Sequence, residues 1–519
     1  MILTNTIAAP ATIPGSGAIS IIRISGSDTF SILDKCVKFR NGTASESAGY
    51  TLKYGVIEGV DDVLVSIFRG PHSYTGEDSA EISCHASAYI VSRIMQLLMD
   101  AGAVPAEAGE FTRRAFVNGR MDLSQAEAVA DLIASSNEAS HHIALHQLKG
   151  GISAELQELR SQLLDVTSLM ELELDFSEEE VEFADRAQLT ALLESALAHI
   201  KRLTESFRLG NAIKNGVPVA IVGATNTGKS TLLNALLGED RAIVSSIAGT
   251  TRDTIEEVFN IDGTSFRFID TAGIRETSDE IESIGIDRTF EKLMLADSVI
   301  AVVDATSPAS VIESDLRSIA SKMTLSKQHL VVVLNKVDLL GNAGFSETGS
   351  EVPASDSASL SGSENGAPSG DVQAVVSPGV SMLSGSENGS SNGILMVNKI
   401  VTEINNTVKC TENKVDMVLL SAKTGFGVDL LKKTLSDRQK SRIADSGTAT
   451  LVTNARHYNA LCSASRALKL AASGVASGTS GDLVSQDLRE ALYHLGTITG
   501  SITTDEVLGN IFSKFCIGK

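Results

Sequence analysis

The stretch Gly223-Ala-Thr-Asn-Thr-Gly-Lys-Ser230 decides how this chain folds. Its spacing is G-x-x-x-x-G-K-[ST], that of a phosphate-binding loop. It follows the apolar run Val217–Val222, which reads as a buried strand, and precedes Thr231–Leu237, which reads as a helix. Glycines at such a junction let backbone N–H groups turn inward around phosphate oxygens at a helix N-terminus. Lys229 then reaches the β- and γ-phosphates and Ser230 takes Mg²⁺, with Asn226, Thr227, Gly228 and Thr231 beside them.

Four further segments follow in order. Gly249-Thr-Thr-Arg-Asp253 supplies Thr251 for Mg²⁺ and the γ-phosphate. Asp270-Thr271-Ala272-Gly273 follows the strand-like Phe266–Ile269; the Asp holds Mg²⁺ through water and the Gly N–H meets the γ-phosphate. Asn335-Lys336-Val337-Asp338 ends the run Leu330–Leu334. A carboxylate there accepts hydrogen bonds from guanine N1 and N2, a pair that adenine lacks, so GTP is expected over ATP. Ser421-Ala422-Lys423 ends Met417–Leu420, and its backbone is placed for the guanine O6. Expected nucleotide contacts also include Ser245, Ser246, Ile247, Ala248, Gly249 and Thr250.

Position 274 is Ile, where small signalling GTPases carry a water-orienting Gln, and the loop has no arginine. Hydrolysis must use other groups. Asn226 is a candidate for holding a monovalent cation, and Arg275 and Glu282 are the candidate catalytic residues, Glu282 positioning water.

The chain has 519 residues, enough for roughly three domains. A net charge of −21 argues against a broadly basic nucleic-acid surface. Cys36, Cys84, Cys410, Cys462 and Cys516 are scattered, as in a reducing cytoplasm. Met1–Pro10 lacks a basic leader, and no apolar run reaches the roughly 20 residues of a membrane span, so no membrane role is expected. His142 and His146 have helical metal spacing but no third ligand nearby, so they read as ordinary helix residues.

The expected fold combines α/β and all-α parts. Residues 1–118 read as an N-terminal α+β domain, with strands at Ala18–Ile24 and Val63–Phe68. Residues 119–215 and 438–519 read as two segments of one helical domain. The stripes Leu156, Leu159, Leu163, Val166, Met170 and Leu189, Leu193, Ala196, Ile200, Leu203 carry the first, and Leu488, Ala491, Leu492, Leu495 the second. Ser124 with Glu127 fits a capping box, and Ser177–Glu182 a solvated helix start. Residues 216–437 read as a P-loop α/β G domain inserted in the helical domain, with strands at 217–222, 266–269, 298–303, 330–334 and 417–420 in a parallel sheet. Residues 341–392 are rich in Ser, Gly and Asn, repeat Leu-Ser-Gly-Ser-Glu-Asn-Gly, and read as a disordered insertion.

The ending Phe515-Cys-Ile-Gly-Lys519, with an inserted GTPase whose P-loop precedes Gly-Thr-Thr-Arg-Asp, resembles the MnmE (TrmE) family of tRNA uridine-modification GTPases. Further matches are Ala8–Thr12, Ile22–Gly26, Tyr74–Asp78, Gly109–Phe116 and Asp122–Ala128. The resemblance implies an N-terminal dimerisation domain holding a one-carbon tetrahydrofolate, with Arg23, Glu81, Arg120 and Lys519 at folate-contacting positions. It implies K⁺ held by Asn226, Ser245, Ile247 and Thr250, and Glu282 as the water-positioning residue. It further implies a homodimer that forms a heterotetramer with an FAD-dependent partner of the GidA type, acting on C5 of the wobble uridine in tRNA. Lys432, Lys433, Arg438, Lys440 and Arg442 form a local basic run that could meet RNA. Arg120 and Ala86 depart from the usual Lys and Gly. The alternative is a regulatory or ribosome-assembly GTPase with no one-carbon chemistry.

Overall fold

A computed structural model describes residues 5–175, 186–238, 257–269, 296–323, 328–340, 399, 402, 415–446, 450–513 and 515–518. Contacts divide the chain into two units, Met1–Asn211 with Thr450–Lys519, and Ala212–Ala449.

The first unit begins with a seven-stranded sheet in the order β3-β4-β5-β6-β2-β1-β7. The strands are β1 Ile7–Pro10, β2 Gly17–Ser25, β3 Lys38–Phe39, β4 Thr51–Ile57, β5 Asp61–Phe68, β6 Ser79–Ala86 and β7 Val104–Pro105. Along β5 the side chains alternate: Val63, Val65 and Ile67 are buried while Leu64 is exposed. Period-2 burial marks a sheet covered on one face, here antiparallel except where β7 runs parallel to β1. The covering helices are α1 Thr29–Cys36 and α2 Ala88–Asp100, which bury Leu33, Ile94 and Leu98 against Ile22, Ile24 and Ile82.

Helices α3 Glu110–Val117, α4 Leu123–Ala134, α5 Glu138–Leu148, α6 Gly151–Asp175 and α7 Arg186–Asn215 follow. The capping box of α4 lies two residues earlier than the sequence expectation. Asp122 accepts from the Gln125 backbone, and the Gln125 side chain bonds back to Asp122 N. Glu127 is not at a cap at all; it is buried within the helix. Ser177–Glu182 lies outside the described residues.

The second unit holds a six-stranded sheet in the order β13-β12-β11-β8-β10-β9. Its strands are β8 Val217–Val222, β9 Glu257–Ile261, β10 Thr264–Phe268, β11 Ser298–Asp304, β12 His329–Asn335 and β13 Asp416–Leu419. Five strands match the expected runs, but the sheet is not wholly parallel. The additional β9 pairs antiparallel with β10 through the two-residue turn Asp262-Gly263. Both turn residues have positive φ, 46° and 80°, the primed geometry that suits the twist of a hairpin.

Strands β11 and β12 are buried along nearly their whole length. Such strands are covered on both faces, hence their continuous Val, Ile and Leu runs. Helices α8 Lys229–Leu237 and α10 Val428–Ser446 cover one face with Leu232, Leu236, Leu431 and Leu435. Helix α9 Ala309–Ser321 covers the other with Ile312 and Leu316. The insertion predicted at 341–392 lies outside the described residues.

The chain then returns to the first unit as α11 Ala455–Ser477, α12 Gly481–Thr499 and α13 Asp505–Phe512. The stripes predicted on α6, α7 and α12 are all buried in one core, joined by Leu461, Leu468 and Ala471 of α11. A polar clamp joins α4 to α11. Arg456 of α11 donates from Nε to Glu127 Oε1 at 2.9 Å and from a terminal nitrogen to Oε2 at 2.9 Å. His457 Nε2 lies 2.7 Å from the same Oε2. Burial would raise the Glu127 carboxyl, but these partners outweigh it and hold it down at about 2.

Candidate functional site

The phosphate-binding loop runs from the end of β8 into α8. A Cβ on Gly223 would come within 2.2 Å of the Val302 carbonyl of β11, so the loop can only leave the sheet there as glycine. Gly228 caps α8 with φ of +95°, and a Cβ on it would meet Asn335 Nδ2 at 2.2 Å. Asn226, at the exposed tip, has φ of 62°. Turns of this kind let loop N–H groups face an anion at the end of the helix that the dipole favours for it.

Lys229 Nζ donates to the carbonyls of Gly223 at 2.9 Å and Ala224 at 2.7 Å. Its partners are neutral oxygens, and burial lowers its pKa below the ordinary lysine value. A phosphate oxygen is a better partner for that ammonium than a peptide carbonyl, so the residues present fit a triphosphate. Ser230 sits half-buried in the first turn of α8, where its hydroxyl suits Mg²⁺, and Thr231 is exposed beside it.

Asn335 joins the parts of the base site. It ends β12, is 2% exposed, and donates from Nδ2 to Thr227 O of the loop at 2.8 Å. Its Oδ1 accepts from Ala422 N at 2.9 Å. One buried amide thereby ties the phosphate loop to the segment Ser421–Lys423. That segment is held by Ser421 N to Phe426 O at 2.9 Å and Leu420 N to Leu334 O at 2.9 Å. Lys336 has φ of 65°, and Val337 opens a short 3₁₀ turn that leaves Asp338 exposed for a base edge. Thus Asn226–Thr231, Asn335–Asp338 and Ser421–Lys423 gather at the carboxyl ends of the strands, where open α/β sheets bind ligands. Ser245–Thr251, Asp270–Gly273, Arg275 and Glu282 lie outside the described residues.

The first unit brings together a second set. Arg23 of β2 and Glu81 of β6 are direct cross-strand neighbours. Arg23 reaches Glu81 Oε1 from Nε at 3.0 Å and from a terminal nitrogen at 2.7 Å. Its guanidinium lies 5.4 Å from the centroid of the Tyr74 ring and 5.7 Å from that of Phe111. The C-terminal segment runs in beside it. Ile517 forms an antiparallel bridge with Ala108, Gly109 N meets Cys516 O at 3.4 Å, and Arg23 donates to Gly518 O at 3.4 Å. Cys516 is exposed there. A cation beside a carboxylate and two aromatic rings has the chemistry to meet a flat N–H-bearing ring with anionic ends. Arg120 is exposed and would have its stem 3.2 Å from a Cβ placed on Gly76 in the Tyr74–Asp78 loop. Lys519 lies outside the described residues.

Sequence reasoning missed the buried ion network that anchors the Tyr74–Asp78 loop. Arg114 is fully buried and donates to Asn5 O at 2.8 Å, to both Glu77 oxygens at 3.2 Å and to Glu110 Oε1 at 2.9 Å. Ser25 ties Glu77 back to β2 at 2.8 Å. A buried guanidinium needs such partners. The sequence signal was a paired Arg113-Arg114 beside Glu110, which periodicity alone cannot sort into inward and outward members.

The basic run on α10 is not a free patch. Arg442 pairs with Asp297, Lys440 with Asp262 at 3.1 Å, and Asp262 also accepts from Ser436 at 3.0 Å. Lys433 adds its field to the same Asp262, and Lys432 and Arg438 have partners of their own. Acidic residues of the same unit thus answer part of the run.

A glycine-rich loop between strand and helix, tied by Asn335 to the segment Ser421–Lys423, defines a P-loop nucleotide-binding protein. Two family models match the chain: "MnmE helical domain" over residues 123–516 and "GTP-binding protein TrmE N-terminus" over residues 6–120. The tRNA modification GTPase MnmE of Flavobacterium johnsoniae is 46% identical over 527 residues, spanning the whole of both chains. That of Parabacteroides distasonis is 45% identical over 523 residues, 99% of this chain and all of the relative. The chain therefore belongs to the MnmE family of tRNA modification GTPases. A solved GTP-binding protein from Sulfolobus solfataricus with GDP is 17% identical, covers 55% of this chain and 67% of its own, and has a TM-score of 0.26, too low to bear on the fold. Among the described residues no helix is long and apolar enough to cross a membrane.

Proposed function

We propose that this chain is the GTP-hydrolysing subunit of an enzyme that modifies C5 of the wobble uridine in tRNA. The product carries an aminomethyl or carboxymethylaminomethyl group, with a tetrahydrofolate derivative as one-carbon donor. Lys229 and the loop N–H groups hold the phosphates, and Asp338 and the Ser421–Lys423 backbone read guanine. Ser230 and Thr251 would hold Mg²⁺, which neutralises charge building on the phosphates. Asn226, Ser245, Ile247 and Thr250 would hold K⁺ in place of an arginine. Glu282 orients the attacking water and Arg275 assists. Arg23, Glu81, Arg120 and Lys519 bind the folate. The chain works as a homodimer with an FAD-dependent partner of the GidA type, which carries much of the tRNA contact, in keeping with the net charge of −21.

The observation that favours this over a purely regulatory or ribosome-assembly GTPase is the Gly518 carbonyl on Arg23. A nucleotide switch has no need of a C-terminal cysteine segment delivered to a cation–carboxylate pair in another part of the chain. The test is titration calorimetry of 5-formyltetrahydrofolate into wild type and Arg23→Ala. Saturable binding by wild type, weakened in the variant, supports the reading. Absence of binding by both removes the one-carbon chemistry and leaves the regulatory GTPase.

A further inference from the structure

We propose that Asp304 is a positioning residue of the base site, holding Lys336 in the pose in which it flanks the guanine; this rests on the reading that the pocket takes a guanine nucleotide. Asp304 ends β11 directly beside Asn335 at the end of β12. Its own turn locks its carboxylate. Oδ1 accepts from Thr306 N at 2.9 Å and Thr306 Oγ1 at 2.6 Å, and Ser307 N bonds back to Asp304 O at 3.0 Å. That leaves Oδ2 to meet Lys336 Nζ at 2.7 Å. The carboxylate is largely shielded, at 17% exposure, and the lysine is half-shielded at 31%.

Two further features make the pair more than a surface bridge. Ala305 N donates to Asn335 O at 2.9 Å, so the turn carrying Asp304 is bonded to the strand end carrying Lys336. Lys336 is itself in the left-handed region, where few non-glycine residues sit. A long lysine side chain has many rotamers, and ordering it opposes binding. A fixed carboxylate removes that disorder before the base arrives. Burial would raise the Asp304 carboxyl, but bonds from Lys336 and Thr306 outweigh it and keep it below the usual carboxylate range, so the partner is anionic at neutral pH.

The experiment is a double-mutant cycle on the full chain: GDP affinity by calorimetry with Mg²⁺ for wild type, Asp304→Ala, Lys336→Ala and the double variant. Asp304→Ala should weaken GDP about tenfold, and in the double variant that penalty should vanish against Lys336→Ala alone. In turnover, KM for GTP should rise by a similar factor while kcat stays within about twofold of wild type. Asp304→Asn, which keeps an acceptor for Lys336 and the turn to Thr306, should lose less, and its cycle decides the matter if the alanine variant does not fold. Additive penalties, unchanged affinity, or tighter binding by Asp304→Ala overturns the assignment. Wild type that binds no GDP overturns the nucleotide reading itself, and this inference with it.

Discussion

The two candidate pockets are assembled over very different distances along the chain. Lys229 bonds carbonyls five and six residues away, within one loop. Arg23 bonds Gly518 O across 495 residues, and Glu81 across 58. The first geometry is written into glycine positions and a helix end. The second exists only when the whole first unit closes. A local change should therefore cripple the nucleotide pocket without disturbing the fold. The Arg23 pocket should instead answer to residues far from it.

The largest expected effect tests that dependence. Arg456→Ala leaves Glu127 buried without its two guanidinium hydrogen bonds, and losing one partner of a buried pair costs about 3–5 kcal/mol. Urea unfolding should show the loss in the first unit, and folate affinity should fall with it while GDP still binds. Equal loss of both ligands would erase the contrast. Lys229→Ala should do the reverse. GTP hydrolysis falls about 10²–10³-fold, as when a preorganised charge-stabilising donor is removed, with 5-formyltetrahydrofolate affinity within about twofold.

Acid gives a third probe. The Glu127 carboxyl moves from 4.5 down to about 2 on folding, so its contribution is complete above the higher value and is lost as pH falls through the lower. The shift corresponds to about 3 kcal/mol. Denaturant midpoints of wild type should therefore decline between those two pH values, and Glu127→Gln should flatten the decline. An unchanged slope would mean that other carboxylates control acid unfolding. The smallest expected effect is Arg23→Ala, which removes one charged hydrogen-bonding group from the proposed folate site. It should weaken 5-formyltetrahydrofolate by about 1.5–3 kcal/mol, with GTP turnover retained.

The described sheet of the second unit, β9 apart, was legible in the sequence. Val217–Val222 and four later apolar runs gave strands in the expected places, because strands buried on both faces have little choice of composition. Strand β9 was missed although Asp262-Gly263 signals a hairpin; the run Glu257–Ile261 is short and mixed. In the first unit the helix stripes were legible from their period, but the capping box was assigned to Ser124 and Glu127. Both Asp122 and Ser124 are good cap residues, and only backbone geometry selects Asp122. Glu127 was then free to become the buried partner of Arg456, a pairing across 329 residues.

The sequence alone determined the strand–loop–helix around Gly223–Ser230, the strand ends that carry Asn335–Asp338 and Ser421–Lys423, and the helical stripes. Each depends on interactions within a few residues or on a repeat matched to helix or strand geometry. Tertiary structure decided which charges are used up and which remain. It put Arg114 inside, drew Lys440 and Arg442 onto acidic partners, and brought residues 515–518 to Arg23. The physical reason is that a charge acquires its role from partners a few ångströms away in space, and their distance along the polymer carries no such information.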